Sequence, residues 1–129
     1  MNFLPENIDN YVVQHSQQEP LILQELTKET WQKVFNPRML CGAFQGRVLS
    51  MISKLTQPKT ILEIGTYTGY SALCLAEGLR PTGVLHTIDK NEELSLLQEK
   101  YFQKSTFGNQ IKTYVGNALE IIPTIEEQF

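Results

Sequence analysis

Thr60-Ile61-Leu62-Glu63-Ile64-Gly65-Thr66-Tyr67-Thr68-Gly69-Tyr70-Ser71 reads as a short apolar run, a glycine-punctuated loop and the first turn of a helix. A glycine loop between a strand and a helix is the setting of a nucleotide-binding turn. Glycine permits positive φ and lets a ligand approach the backbone. The spacing here is Gly-x-x-x-Gly. A dinucleotide fingerprint needs Gly-x-Gly-x-x-Gly, whose middle glycine makes room for a pyrophosphate; Tyr67 fills that place. A P-loop needs a lysine after its last glycine, and this loop has none. The same spacing also suits a tight turn with no ligand.

Asp89 follows Gly65 by 24 positions, at the end of a second strand-like run, Val84-Leu85-His86-Thr87-Ile88. A carboxylate there can accept hydrogen bonds from ribose hydroxyls. Glu63 adds negative charge beside the loop, which repels phosphate and suits an ammonium or sulfonium. These features together point to a phosphate-free nucleoside that carries positive charge. S-adenosyl-L-methionine meets that description.

Outward from the loop, the chain alternates. Ser71 to Leu79 reads as a helix ended by Gly78 and Pro81, and Asn91 as the cap of a helix running to about Phe107. Ile111 to Val115 is a third strand, after which Asn117 caps a last helical stretch from Ala118. The order β-α-β-α-β-α predicts parallel strands in an α/β fold. Residues 1–57 read instead as a helical segment, and 58–129 as the first half of a Rossmann-like domain. Ile8, Tyr11, Val12 and His15 share a helical spacing, as do Ile22, Leu23 and Leu26 with Trp31, Val34 and Phe35 beyond. Phe44, Val48, Met51, Ile52 and Leu55 form a third stripe. All three stripes are expected to face the core. Three strands complete only half of a doubly wound sheet, so the first strand is expected to carry an unpaired apolar edge.

Composition narrows the function classes. The chain has 129 residues, 41% of them hydrophobic, enough for one folded domain. A net charge of −3 disfavours binding to a nucleic-acid backbone. No apolar run reaches the roughly 18–20 residues of a membrane span. The N-terminus lacks a basic and apolar leader pattern, and the two cysteines, Cys41 and Cys74, suggest free thiols in a reducing cytoplasm. Zinc ligands are too scattered for a structural site. His15, His86 and Cys74 read as structural. Tyr67 and Tyr70 suit either an acceptor pocket or packing of the turn.

The stretch Ile61 to Ser71 resembles the glycine-loop signature of class I S-adenosylmethionine-dependent O-methyltransferases, in the group containing caffeoyl-coenzyme A and catechol O-methyltransferases. The resemblance extends upstream through Met39 to Leu49, with Gln45-Gly46, and downstream to Thr87-Ile88-Asp89-Lys90 and Gly116-Asn117-Ala118-Leu119. It implies a Rossmann-like methyltransferase fold, represented here by the N-terminal helices and the first three parallel strands. It implies that Glu63, Gly65 and the Thr66 backbone hold the cofactor's methionine end and that Ser71 bonds its carboxylate. Asp89 matches the ribose carboxylate, and Ala118 a contact near the adenine. Met39 and Cys41 match a lid segment over the cofactor.

Phe44 stands where the family often has glutamate. Nothing matches the family's next strand, whose aspartate-rich end supplies metal ligands and the catalytic side of the pocket. Catalytic residues are therefore expected beyond residue 129, and a divalent metal only in a longer parent. The resemblance implies methyl transfer to a hydroxyl of a small molecule by a cytoplasmic homodimer, with this chain inactive alone. Two alternatives stay open. One is a non-catalytic half-Rossmann module that binds the cofactor or dimerises through its sheet edge; the other is a dinucleotide-binding fragment, which Tyr67 disfavours.

Overall fold

Parallel pairing of three short strands organises the chain. The computed structural model describes residues 4–129; residues 1–3 of the expected front segment lie outside the described ones. Helices α1 (Glu6–His15), α2 (Leu21–Lys33) and α3 (Gly42–Thr56) precede β1 (Thr60–Ile64). Helix α4 (Tyr70–Ala76) leads to β2 (Val84–Asp89), α5 (Ser95–Lys104) to β3 (Ile111–Val115), and α6 (Ala118–Ile121) follows. The sheet order is β1-β2-β3, all parallel, with Ile61, Leu85 and Ile111 in register. Parallel neighbours need crossovers, which α4 and α5 provide. As expected, β1 lies at an edge, and its Ile64 is 65% exposed.

One core lies on the helical face of the sheet. Ile61, Leu85 and Ile111 pack with Leu23 and Leu26 of α2, Leu73 of α4, and Tyr101 and Phe102 of α5. Each such side chain contributes about 1.5–3 kcal/mol through burial. The Glu29 carboxylate ties α2 to α5 by accepting from Lys100 Nζ at 2.8 and 3.0 Å. Lys100 first, then Tyr101 and Lys33, hold its pKa down to about 2. On the opposite face His86 is buried, with Nδ1 2.8 Å from Tyr114 Oη and Nε2 2.8 Å from Glu127 Oε2. Phe129 meets its ring edge-on. His86 is thus held as a structural residue, and Cys74 is fully buried.

The front helices correct the expected stripes. On α3 the buried positions are Gly46, Ser50 and Ser53, whereas Phe44, Met51, Ile52 and Leu55 are exposed. Small side chains decide the orientation. A Cβ on Gly46 would stand 2.7 Å from Tyr70 Cε1 and 2.9 Å from Cys74 Sγ. A Cβ on Gly78 would stand 2.2 Å from the carbonyl carbon of Ser53. Helix α3 therefore lies against α4 at near-backbone contact, and polar groups fix it there. Arg47 pairs with Glu77 at 2.8 and 3.1 Å, and Ser53 Oγ donates to the Leu75 carbonyl at 2.5 Å. The apolar stripe is left on the far side.

Helix α1 has no buried residue; Ile8 and Tyr11 are exposed, and His15 stacks on Tyr11. In α2 the stripe holds for Leu23 and Leu26 and fails for Trp31 and Phe35. The helix ends at Lys33 and Val34 is already extended, so helical spacing does not reach Phe35. Three boundaries also shift. Helix α4 stops at Ala76, short of Leu79, Asn91 caps a 3-10 turn, Glu92–Leu94, ahead of α5, and α5 stops at Lys104, short of Phe107, because Ser105 is already extended. Among the described residues no helix is long and apolar enough to cross a membrane.

Gly78→Ala is expected to lower stability by about 1–3 kcal/mol, because backbone faces backbone there and cannot yield. Leu55→Glu, on the exposed stripe, is expected to change it by less than about 0.5 kcal/mol. Urea unfolding midpoints of the two variants check the orientation of α3; the reverse ranking would refute it.

Candidate functional site

The C-terminal ends of β1 and β2 meet because the strands run parallel, and the glycine loop spans them. Gly65 and Gly69 each adopt φ +97°, and Tyr67 between them is also left-handed, at φ +51°. A bulky residue in that region is uncommon and has to be held there. Three bonds hold Tyr67. Its N–H donates to Asp89 Oδ2 at 2.7 Å, its carbonyl accepts from Gln98 Nε2 at 2.6 Å, and its hydroxyl donates to the Asn36 carbonyl at 2.8 Å. The loop is so tied to β2, to α5 and to the segment that crosses above it. Tyr70 is core, 2% exposed, with its hydroxyl bonded to Glu19.

Behind the loop lies a relay of hydroxyls. Ser71 Oγ donates to Glu63 Oε2 at 2.6 Å, and Thr87 Oγ1 donates to Glu63 Oε1 at 2.7 Å. With the Thr87 proton so used, Thr66 is the donor in the 2.6 Å contact between Thr66 and Thr87. Burial pushes the Glu63 carboxyl upward, the Ser71 and Thr87 hydroxyls oppose this, and Asp89 adds repulsion.

Two cavities open on the loop. One, of about 650 Å³, is lined by Gly65, Thr66 and Ser71, by Met39 and Cys41, and by Asp9 and Val13 of α1. The other, of about 770 Å³, is lined by Asp89, Asn91, Phe35 and Lys100 among others. Met39 and Tyr67 line both, so the two form one cleft across the strand ends. Asp89 accepts the N–H groups of Tyr67 and Asn91. A carboxylate offers about four acceptor positions, so about two stay available to a ligand. A Cβ on Gly65 would meet nothing within 4 Å, which leaves its backbone open to the cavity.

Of the residues singled out in the sequence, Met39, Cys41, Gly65, Thr66, Ser71 and Asp89 come together in this cleft. Glu63 sits behind Ser71 and lines neither cavity, and Ala118 lines neither. Burial, then Glu63, pushes the Cys41 thiol up to about 12, so it is no nucleophile. Sequence reasoning missed Asp9, Val13 and Asn36. Asp9 and Val13 are four apart on a helix whose spacing otherwise drew attention to Ile8 and Tyr11, and Asn36 acts through its carbonyl. Among the described residues no three His, Cys, Asp or Glu side chains group to hold a metal ion.

A carboxyl whose pKa is raised on folding binds its proton more tightly in the folded state. It therefore favours folding below the unfolded carboxylate range and loses that contribution as pH rises through the folded value. Stability relative to Glu63→Gln should fall as pH rises from 4 through the shifted range. Urea midpoints of both proteins across that interval check this; parallel curves would refute it.

A family model described as O-methyltransferase matches residues 13–128. O-methyltransferase hkm8 of Aspergillus hancockii is 30% identical over 125 residues, covering 95% of this chain and 50% of that protein. The O-methyltransferase TomG of Streptomyces achromogenes, solved in complex with SAM, superposes with a TM-score of 0.83 at 28% identity, over 94% of this chain and 54% of TomG. The SAH-bound methyltransferase PaMTH1 of Podospora anserina superposes with a TM-score of 0.88 at 27% identity, over 99% of this chain and 58% of that one. The chain spans half or less of the curated relatives it matches, from 30% to 50% of their length. The fold is the Rossmann-like fold of those enzymes, and the chain belongs to the O-methyltransferase family.

Proposed function

We propose that this chain binds S-adenosyl-L-methionine and forms the methyl-donor side of an O-methyltransferase that acts on a hydroxyl of a small molecule. The observation that carries the reading is the cleft itself: an open glycine backbone and a half-used Asp89 carboxylate share one groove that has no phosphate cradle. In this reading Gly65, Thr66, Ser71, Met39 and Cys41 surround the methionine end. Asp89 takes the ribose hydroxyls, Glu63 fixes the Ser71 hydroxyl from behind, and Ala118, outside both cavities, is assigned to the adenine by the family resemblance alone. The bound cofactor would supply a methyl group on a sulfonium, for transfer to the acceptor oxygen. TomG was solved with SAM and PaMTH1 with SAH, which supports the cofactor.

The chain's own part is to bind and orient. The bonds of Tyr67 to Asp89, Gln98 and Asn36 fix the loop before a ligand arrives, which reduces the ordering cost of binding. Ionisation of the acceptor hydroxyl is assigned to no residue of this chain, and a divalent cation, where a longer parent uses one, would serve that step. The net charge of −3 supports a small-molecule acceptor over a nucleic acid. Free Cys41 and Cys74 support a reducing cytoplasm, and a homodimer belongs to the same reading.

Calorimetric titration with S-adenosylhomocysteine is expected to give micromolar binding, weakened at least tenfold in Asp89→Ala with unchanged circular dichroism. Labelled S-adenosylmethionine with a catechol and magnesium is expected to give no turnover above blank. Turnover would refute the donor-side assignment. A well-folded dimer that does not bind would favour the non-catalytic dimerising module.

A further inference from the structure

We propose that Asp9 of α1 is the charge partner of the ammonium group on the methionine end of the cofactor. The proposal deepens the reading above and rests on it. It starts from an inventory of charge in the cavity beside the glycine loop. That cavity is lined by Asp9 and by apolar, hydroxyl, amide and thiol groups, with no lysine, arginine or histidine. The Cys41 thiol, Tyr67 and Tyr70 are all held in their neutral forms. Among the described residues Asp9 is then the single formal charge on the wall. A pocket whose one charge is a carboxylate favours a cation and penalises a second carboxylate nearby.

The placement of Asp9 distinguishes it from an ordinary acidic residue in a first helical turn. Such residues are common because they complement the helix dipole. Glu6 is one of them: it lies in the same turn and is exposed. Asp9 is half-buried, between exposed Ile8 and Asn10, on a helix that buries nothing completely and whose Val12 is the other half-buried residue. Val13, one turn on, lines the same cavity. So the two residues mark the side of α1 turned to the ligand. Among the described residues Asp9 forms no ion pair and accepts no side-chain hydrogen bond. Ser71, Gly65 and Cys41 on the facing walls carry no charge to neutralise it.

The methionine end carries one carboxylate and one ammonium, and the uncharged walls suit the first while Asp9 suits the second. A purely structural role and a charge role predict different signs. The test uses three ligands and two proteins, the whole chain and Asp9→Asn, in calorimetric titrations. S-adenosylhomocysteine carries both groups, its desamino analogue keeps only the carboxylate, and 5′-methylthioadenosine has neither. The expected result is that Asp9→Asn binds S-adenosylhomocysteine at least tenfold more weakly and 5′-methylthioadenosine equally well. It should bind the desamino analogue more tightly than the parent chain, since a carboxylate repulsion has been removed. Unchanged binding of S-adenosylhomocysteine overturns the proposal and leaves the cofactor reading standing, and equal weakening of all three ligands overturns it in favour of a structural role. Absence of binding by the parent chain to any of the three overturns both.

Discussion

The loop at the end of β1 depends on one hydrogen bond, from the Tyr67 N–H to Asp89 Oδ2. Tyr67 sits in left-handed backbone between two left-handed glycines, a conformation that has to be imposed from outside. Asp89 can impose it because parallel pairing of Ile64 with Ile88 brings the two strand ends side by side. The Tyr67 side chain then becomes a strut to the Asn36 carbonyl, and its own carbonyl a docking point for Gln98. One residue thereby joins the sheet, α5 and the segment over the cleft. Loop shape and the roof of the cavity are consequences of the same contact, which strand pairing makes possible.

What was legible in the sequence follows this hierarchy. The three strands were readable because their runs are short, β-rich and bounded by turn residues, and burial of Leu85 and Ile111 needs no further information. Gly65, Gly69 and Asp89 were readable because positive φ and a strand-end carboxylate leave marks in residue type. The faces of α1 and α3 were not. Periodicity finds an apolar stripe but says nothing about the opposite face, and on α3 that face wins through what it lacks. Gly46, Ser50 and Ser53 let the helix approach α4 closely, and the Arg47–Glu77 pair then fixes it. Asp9 was illegible for a related reason: its place in the cleft depends on how α1 is turned, and the spacing of α1 points to Ile8 and Tyr11 instead.

Electrostatics divides the cleft. Asp9 is the charged side chain among the described residues that line the first cavity, and Glu63 lies behind the loop. The second cavity is lined by Asp89, Glu93 and Glu29 and by Lys33 and Lys100, both of which pair with Glu29. Carboxylates outnumber lysines in both, a balance that disfavours a phosphate.

The two faces of the sheet are closed by different chemistry, and the difference bears on what the chain can do unaided. On the helical side, aliphatic and aromatic groups interdigitate around Leu85. On the other side His86 is held between Tyr114 and Glu127, and Phe129 lies edge-on to its ring. The apolar groups left exposed include Ile64 at the outer edge of β1 and Phe44, Met51 and Leu55 on α3. The cleft borrows little from that uncovered surface. Its walls come from the loop, the strand ends, α1, the end of α2, the segment around Met39, the first turns of α3 and the start of α5, and of the α3 stripe Phe44 and Val48 reach it. Its shape is set by Tyr67 and Asp89, both bonded within the chain. The loop that shapes the cleft is therefore held in place without pairing of the β1 edge.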